Sequence, residues 1–301
     1  RPRAPAPPPP APPRHDTPLT PAAEGPTSPP LDVSRTTQDA SPPAAANGAA
    51  ADELAYTTEN TGGIDQQVFP TFPVVVGWGR GSAMGNIGSF NPALLVHGQQ
   101  AVTLHRPMPV EGTATITSEI TGMYDKGKAA VVVSEARASM DGEPLYTNTS
   151  SVFIRGEGGW GGERGPSGPK NVPPDRAPDH EVTYQTSPDQ AFVYRLSGDR
   201  NPLHTDPAFA AIGGFDRPIL HGLCSYGFTG RALLHTLCGR DPARFGHVEA
   251  RFAAPVLPGD ALTVKMWAVG DGESLFTTSA VDPTDASTER VVIDQGLLRH
   301  T

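Results

Sequence analysis

Along residues 113–121 (TATITSEIT) apolar and polar positions alternate, and β-branched residues dominate. A period of two with that composition predicts a half-buried strand. Asp125-Lys126-Gly127 then supplies a turn, residues 129–137 (AAVVVSEAR) a second strand, Asp141-Gly142 another turn, and residues 145–154 a third strand. Residues 101–105 read as extended ahead of them, so this part of the chain is an antiparallel meander. A second meander is predicted at residues 247–253, 261–269, 274–281 and 290–298, with Pro258-Gly259-Asp260 turning between its first two members. Between the meanders the period changes. From Leu220 to Leu237 the apolar residues Leu223, Tyr226, Leu233, Leu234 and Leu237 recur at helical spacing and predict a helix. Residues 72–96 are also apolar, but Gly77, Gly79, Gly81, Gly85 and Gly88 argue against a long helix there.

The chain therefore reads as two variants of one unit, a helix-bearing segment followed by a meander, at residues 54–155 and 181–301. A helix covered by a curved antiparallel sheet is an α+β arrangement. Each unit has a His-Gly pair ahead of its meander, His97-Gly98 and His221-Gly222, which reads as a weak internal repeat. Residues 156–180 form a linker rich in Gly, Pro and charge. Its first residues, Gly156 to Gly161, match G-x-G-x-x-G, but Pro166, Pro169, Pro173 and Pro174 follow and no helix or βαβ unit opens there, so a dinucleotide site is rejected. Residues 1–53, dominated by Pro and Ala, offer little to bury and are expected to be a disordered extension with polyproline II stretches.

Composition narrows the function classes. The 301 residues carry a formal net charge of −9, whereas nucleic-acid binders usually present a basic face. No apolar run reaches the ~18 residues of a membrane span. Neither a signal-peptide apolar core nor a C-terminal Ser-Lys-Leu is present, so a cytoplasmic protein is expected. Cys224 and Cys238 fall in one predicted helix, roughly 21 Å apart along its axis, too far for a disulfide. His105, His180, His235, His247 and His300 show no ligand spacing, and no metal site is predicted.

The chemistry concentrates in Tyr194-Arg-Leu-Ser-Gly-Asp-Arg-Asn-Pro-Leu-His204. A carboxylate, Asp199, stands five residues before an imidazole, His204, with the carboxamide of Asn201 and the rigid Pro202 between them. Adding water to a double bond, or removing it, needs two groups that exchange protons and hold one water. Ile219-Leu220-His221-Gly222 looks like the entry to the predicted helix, whose first amides could hold a developing oxyanion. Ser197 and Ser225 raise a serine thioesterase or acyltransferase as a rival, but no G-x-S-x-G elbow accompanies them.

The string from Tyr194 to His204 with His221-Gly222 behind it resembles the signature of the hydratase 2 family, the MaoC-like (R)-specific 2-enoyl-CoA hydratases. Other segments are similar to family landmarks in the same order: Leu95-Val-His97-Gly98-Gln, Asp125-Lys126-Gly127, Gly156 to Arg164, Arg251-Phe252-Ala-Ala-Pro255 and Pro258-Gly259-Asp260. The resemblance spans about residues 54–298 and implies a double hot-dog fold. Its C-terminal unit would carry the chemistry. Its N-terminal unit would have lost much of its central helix and made room for a long or bulky acyl chain.

By that resemblance the enzyme is a hydro-lyase. It adds water to trans-2-enoyl-CoA, giving a (3R)-3-hydroxyacyl-CoA, without any cofactor beyond the CoA of the substrate. Asp199 and His204 would share one water, one taking its proton while the other passes a proton to the α-carbon. Asn201 would orient the water or the imidazole, and the Gly222 amide would bind the thioester oxygen. His97, Gly98, Lys126, Arg200, Pro202, Leu203 and Phe252 would lie along the substrate and its CoA moiety, with Lys126 on a phosphate. The first unit lacks an Asp/His pair and would be catalytically silent. The alternative is a dehydratase acting on a CoA- or carrier-bound 3-hydroxyacyl thioester in biosynthesis. A hot-dog that only binds thioesters is disfavoured, because both proton-transfer residues are present. Fatty, sterol side-chain and polyketide acyl groups all remain open, as do monomer and homodimer.

Overall fold

The computed structural model describes residue 19 and residues 24–25, 27–77, 82–168 and 170–301. The first unit contains β1 (Leu31–Arg35), β2 (Leu95–Leu104), β3 (Gly112–Asp125), β4 (Ala129–Met140) and β5 (Glu143–Arg155). The second contains β6 (His180–Gln185), β7 (Phe245–Phe252), β8 (Ala261–Gly270), β9 (Glu273–Asp282) and β10 (Asp285–His300). All ten form one sheet in the order β1-β3-β4-β5-β2-β7-β10-β9-β8-β6. Read outward from the centre, the two halves have the same topology: a hairpin meander whose last strand pairs with the strand preceding it. They meet where β2 pairs antiparallel with β7, Gln100 opposite Ala250 and Val102 opposite Val248.

The meanders follow the local chemistry. Asp141 and Gly142 both have positive φ, as a tight β4–β5 connection with the right twist requires. Between the units, residues 156–179 contain no described helix or strand. Their glycines instead serve Asp125, whose carboxylate accepts N–H groups from Gly127 (2.7 Å), Gly159 (2.8 Å) and Gly161 (2.7 Å). Those amides, Gly159 first, hold its carboxyl below the usual range.

One long helix, Gly222–Leu237, packs against β6, β7, β8 and β10. Every residue from Leu223 to Leu234 is buried, so the helix is enclosed rather than amphipathic. Its interior glycines mark close approaches by the first unit. A Cβ at Gly227 would sit 2.3 Å from the Asn47 side chain, and one at Gly230 would sit 2.4 Å from Thr71 Cγ2. In the first unit, residues 72–77 and 82–94 form only short 3-10 turns before β2. Among the described residues the chain there supplies no long helix of its own, and Thr71 just before it packs on Gly230 of the neighbour's helix.

Two expectations are corrected. Residues 27–53 are not a disordered extension: β1 pairs with β3, and a short helix at Ser41–Ala46 buries Ala44 and Ala46 against the cores. Poor core-forming composition misled here, because the small Ala side chains join cores built by other elements, and Asn47 fits against Gly227. Residues 1–18, 20–23 and 26 lie outside the described residues. The two His-Gly pairs are not equivalent positions either. His97 and Gly98 are inside β2, whose counterpart is β7, whereas His221 and Gly222 begin the long helix. The doubling lies in strand order.

Candidate active site

The string from Tyr194 to His204 folds as a sequence of short turns. Gln190–Tyr194 is helical, a 3-10 turn covers Arg195–Ser197, and Gly198 reverses the chain at φ 116°, a conformation that favours glycine. The Asp199 carboxylate accepts the Asn201 backbone N–H at 3.0 Å, and the Asn201 side-chain oxygen accepts that of Leu203 at 3.0 Å. These Asx turns, with Pro202 opening the 3-10 turn Pro202–His204, fix the spacing between Asp199 and His204. A second short helix, Pro207–Ile212, is capped by Asp206 and carries the chain away.

His204 is buried, and its Nδ1 lies 2.9 Å from the Ile219 carbonyl. A ring nitrogen facing a carbonyl must donate, which leaves Nε2 as a bare acceptor. Burial pushes the His204 imidazole below its ordinary range, against the Ile219 carbonyl and the Asp199 charge, which favour protonation. The ring is therefore neutral at pH 7. His221 stacks on it at 3.8 Å between centroids and 30° between planes. Its Nε2 reaches the Asp199 backbone carbonyl at 3.2 Å, and burial pushes it down to about 3.

Gly222 is the first residue of the long helix, so its N–H has no intrahelical acceptor. Asp199, Asn201, Leu203, His204 and Gly222 line one cavity of about 280 Å³, with His97 and Phe252 on the same wall set. His97 comes from β2 and Phe252 from β7, with ring centroids 4.9 Å apart, so both units build the pocket. His97 Nε2 is held by Ser150 Oγ (2.9 Å) and the Gln99 carbonyl (3.0 Å). Burial pushes its imidazole down to about 4.

Gly98, Lys126, Arg200 and Pro202 do not line this cavity. Gly98 packs on Ser151, where a Cβ would meet Oγ at 3.1 Å. Lys126 Nζ donates to the Arg164 and Pro166 carbonyls on the linker. Arg200 and Pro202 are exposed within the string from Tyr194 to His204. Arg155, at the end of β5, is the one lysine or arginine among the described residues lining the cavity; its guanidinium donates to the Gly213 carbonyl at 3.2 Å and sits 6.0 Å over the Phe215 ring. Ser150, Phe215 and Ser225 line it as well. No local pattern marks these residues in the sequence, since strand pairing and the return of the chain after Ile212 bring them in.

Asp199, His204 and His221 offer ligand atoms that all lie within 4.8 Å of one another. Sequence spacing hid this grouping, because His221 is 22 residues from Asp199. Backbone carbonyls already engage one nitrogen of each ring, Nδ1 of His204 and Nε2 of His221.

Comparison with known proteins places this geometry. A MaoC like domain matches residues 170–291, and an MFE-2 hydratase 2 N-terminal domain matches residues 36–156. The second begins well before residue 54, in keeping with the ordered segment described above. The chain is 44% identical over 260 residues to 3-hydroxyacyl-thioester dehydratase Y of Mycobacterium tuberculosis, covering 84% of this chain and 88% of that one. It is 41% identical over 266 residues to an enoyl-CoA hydratase of the same organism, covering 85% and 90%. A MaoC-like dehydratase from Phytophthora capsici superposes with a TM-score of 0.79 at 33% identity, covering 91% of this chain and 95% of that structure.

Proposed function

The chain belongs to the MaoC-like hydratase family, a lyase family with the double hot-dog fold, and from that premise we propose that it reversibly hydrates trans-2-enoyl-CoA to (3R)-3-hydroxyacyl-CoA. One observation carries the proposal: a carboxylate, a neutral imidazole with a bare nitrogen and an unpaired helix-start amide line the same cavity. The thioester oxygen accepts the Gly222 N–H, where the helix dipole favours negative charge. Water bound between Asp199 and His204 Nε2 adds to the β-carbon as one of the two removes its proton. The electron pair moves through the α-carbon to the thioester oxygen, and the enolate then takes up, at the α-carbon, the proton removed from the water, passed back by the group that took it or through its partner, so both groups return to their starting protonation. Delivery of both hydrogens and the oxygen from one side makes the addition syn. The Asn201 side-chain oxygen is committed to Leu203, so its amide N–H₂ is the part free to orient the water.

His97 and Phe252 flank the route of the CoA arm, with Lys126 further out on the linker side. The lack of a long central helix among the described residues of the first unit suits long or bulky acyl groups. The proposed setting is cytoplasmic, as a monomer or homodimer; no described helix is long and apolar enough to cross a membrane. The reverse direction, dehydration of a 3-hydroxyacyl thioester, uses the same groups, and a relative named as such a dehydratase favours it as the second reading. The test is hydration of an enoyl-CoA panel followed at the enoyl-thioester absorbance, with chiral analysis of the product. Asp199→Asn and His204→Gln should each lower kcat by roughly 100- to 10,000-fold while substrate still binds. An (S) product, or turnover retained in either variant, overturns the assignment.

A further inference from the structure

Two buried polar atoms beside the site have no partner: Ser225 Oγ and His221 Nδ1. They are complementary. His221 Nε2 faces the Asp199 carbonyl and must carry the ring proton, so Nδ1 is a bare acceptor. Ser225 carries a hydroxyl donor four residues further on, and the two residues are 2% and 1% exposed. A helical serine usually donates to the carbonyl four residues back. Here that carbonyl, of His221, already accepts the backbone N–H groups of Cys224 (3.0 Å) and Ser225 (3.3 Å). Helical side chains lean toward the N-terminus, which directs the Ser225 hydroxyl toward His221. Leaving either group unpaired costs on the order of 1–3 kcal/mol, and a hydrogen bond between them would satisfy both.

We propose that Ser225 and His221 form a positioning pair, with the Ser225 hydroxyl donating to His221 Nδ1 and so fixing the tautomer whose Nε2–H holds the Asp199 backbone. The pair acts through its neighbours. His221 touches the Asp199 carbonyl, stacks on the His204 ring and immediately precedes Gly222, so one side chain ties the acid–base string to the oxyanion amide. In the other tautomer Nε2 would present a lone pair to the Asp199 carbonyl, and the string would lose that anchor. The proposal rests on the hydratase reading only for its kinetic consequence.

The test uses the full chain labelled with ¹⁵N-histidine, with Ser225→Ala and Ser225→Thr. In the parent, His221 should give the Nε2–H tautomer with an Nδ1 signal shifted as a hydrogen-bond acceptor. Ser225→Ala should move that Nδ1 signal to the free-acceptor position or mix the tautomers, and Ser225→Thr should restore it. With crotonyl-CoA, Ser225→Ala should lower kcat roughly tenfold with little change in KM, as expected for one lost hydrogen bond that organises the site. An unchanged His221 Nδ1 signal in Ser225→Ala overturns the pair whatever the kinetics. A higher Tm for Ser225→Ala also overturns it, because it would mean that the hydroxyl is unpaired in the working protein. A shifted Nδ1 signal with no fall in kcat leaves the bond standing but refutes its positioning role. Failure of the hydratase reading is separate, and would appear as an inactive parent with the expected spectra.

Discussion

Replacing Gly222 by proline tests the oxyanion assignment with little cost to the helix. Gly222 is the first helical position, where proline is tolerated because its missing N–H would have no intrahelical partner. His221 before it has φ −56° and ψ 131°, within the range that a residue preceding proline adopts. The substitution therefore removes one donor and puts a ring carbon where the thioester oxygen belongs. Loss of one such donor costs roughly 100- to 1,000-fold in kcat, about 2.7–4 kcal/mol. Gly222→Ala is the control. It keeps the N–H, and its Cβ would meet Phe252 Cε1 and Cδ1 at 3.3 and 3.4 Å, so the ring must yield by only a few tenths of an ångström. Its activity should fall less than about tenfold. Both variants are assayed by crotonyl-CoA hydration, with far-UV circular dichroism to verify the helix. A folded Gly222→Pro enzyme within tenfold of the parent, or Gly222→Ala falling as far as Gly222→Pro, refutes the reasoning.

Glu53, with its side chain almost fully enclosed, joins the N-terminal segment to the long helix. Arg231 Nε donates to it at 2.7 Å, and His235 Nε2 lies 2.7 Å from its other oxygen. Glu53→Gln leaves the Arg231 charge uncompensated and should cost roughly 3–5 kcal/mol in guanidinium unfolding; a loss under about 1 kcal/mol would contradict the packing described. For acid stability, His221 has an ordinary pKa near 6.5 when unfolded and about 3 when folded, so the unfolded chain binds more protons between those values. Its contribution is complete above pH 6.5 and is lost as the pH falls toward 3, at up to about 1.4 kcal/mol per pH unit; His221→Phe should flatten that part of a denaturation series, and an unchanged slope counts against a neutral buried ring. Arg155→Gln should raise KM for CoA thioesters roughly tenfold if the guanidinium meets a polar group of the substrate. Lys126→Ala should raise KM for CoA thioesters and spare carrier-bound ones, and equal effects on both would remove Lys126 from a CoA phosphate.

Much of the fold was legible because its signals are local. The period of two in residues 113–121, the Asp141-Gly142 turn and the helical spacing from Leu223 to Leu237 each depend on a few neighbouring residues, and the corresponding elements are β3, the β4–β5 hairpin and the long helix. Residues 27–53 were illegible because their order comes from outside. Alanines that can build no core of their own become buried only when Gly227, against Asn47, lets the segment approach the helix of the other unit. The doubling was legible as a fact but was located in the wrong residues, since the His-Gly pairs repeat in sequence and not in space.

For the site, the chain by itself determined the inventory. Asp199, Asn201 and His204 lie within six residues, and Asx turns with Pro202 fix their spacing locally. Tertiary structure decided what that inventory can do. Burial and the Ile219 carbonyl make His204 neutral with Nε2 bare, the helix start brings the Gly222 amide alongside, and the β2–β7 pairing sets His97 against Phe252. Protonation state, tautomer and pocket walls depend on partners that are distant in sequence. Short-range pattern is therefore silent about them: Arg155 became visible only once the chain had folded, and His221 and Ser225, marked in the sequence for other reasons, took their place beside Asp199 and His204 only there.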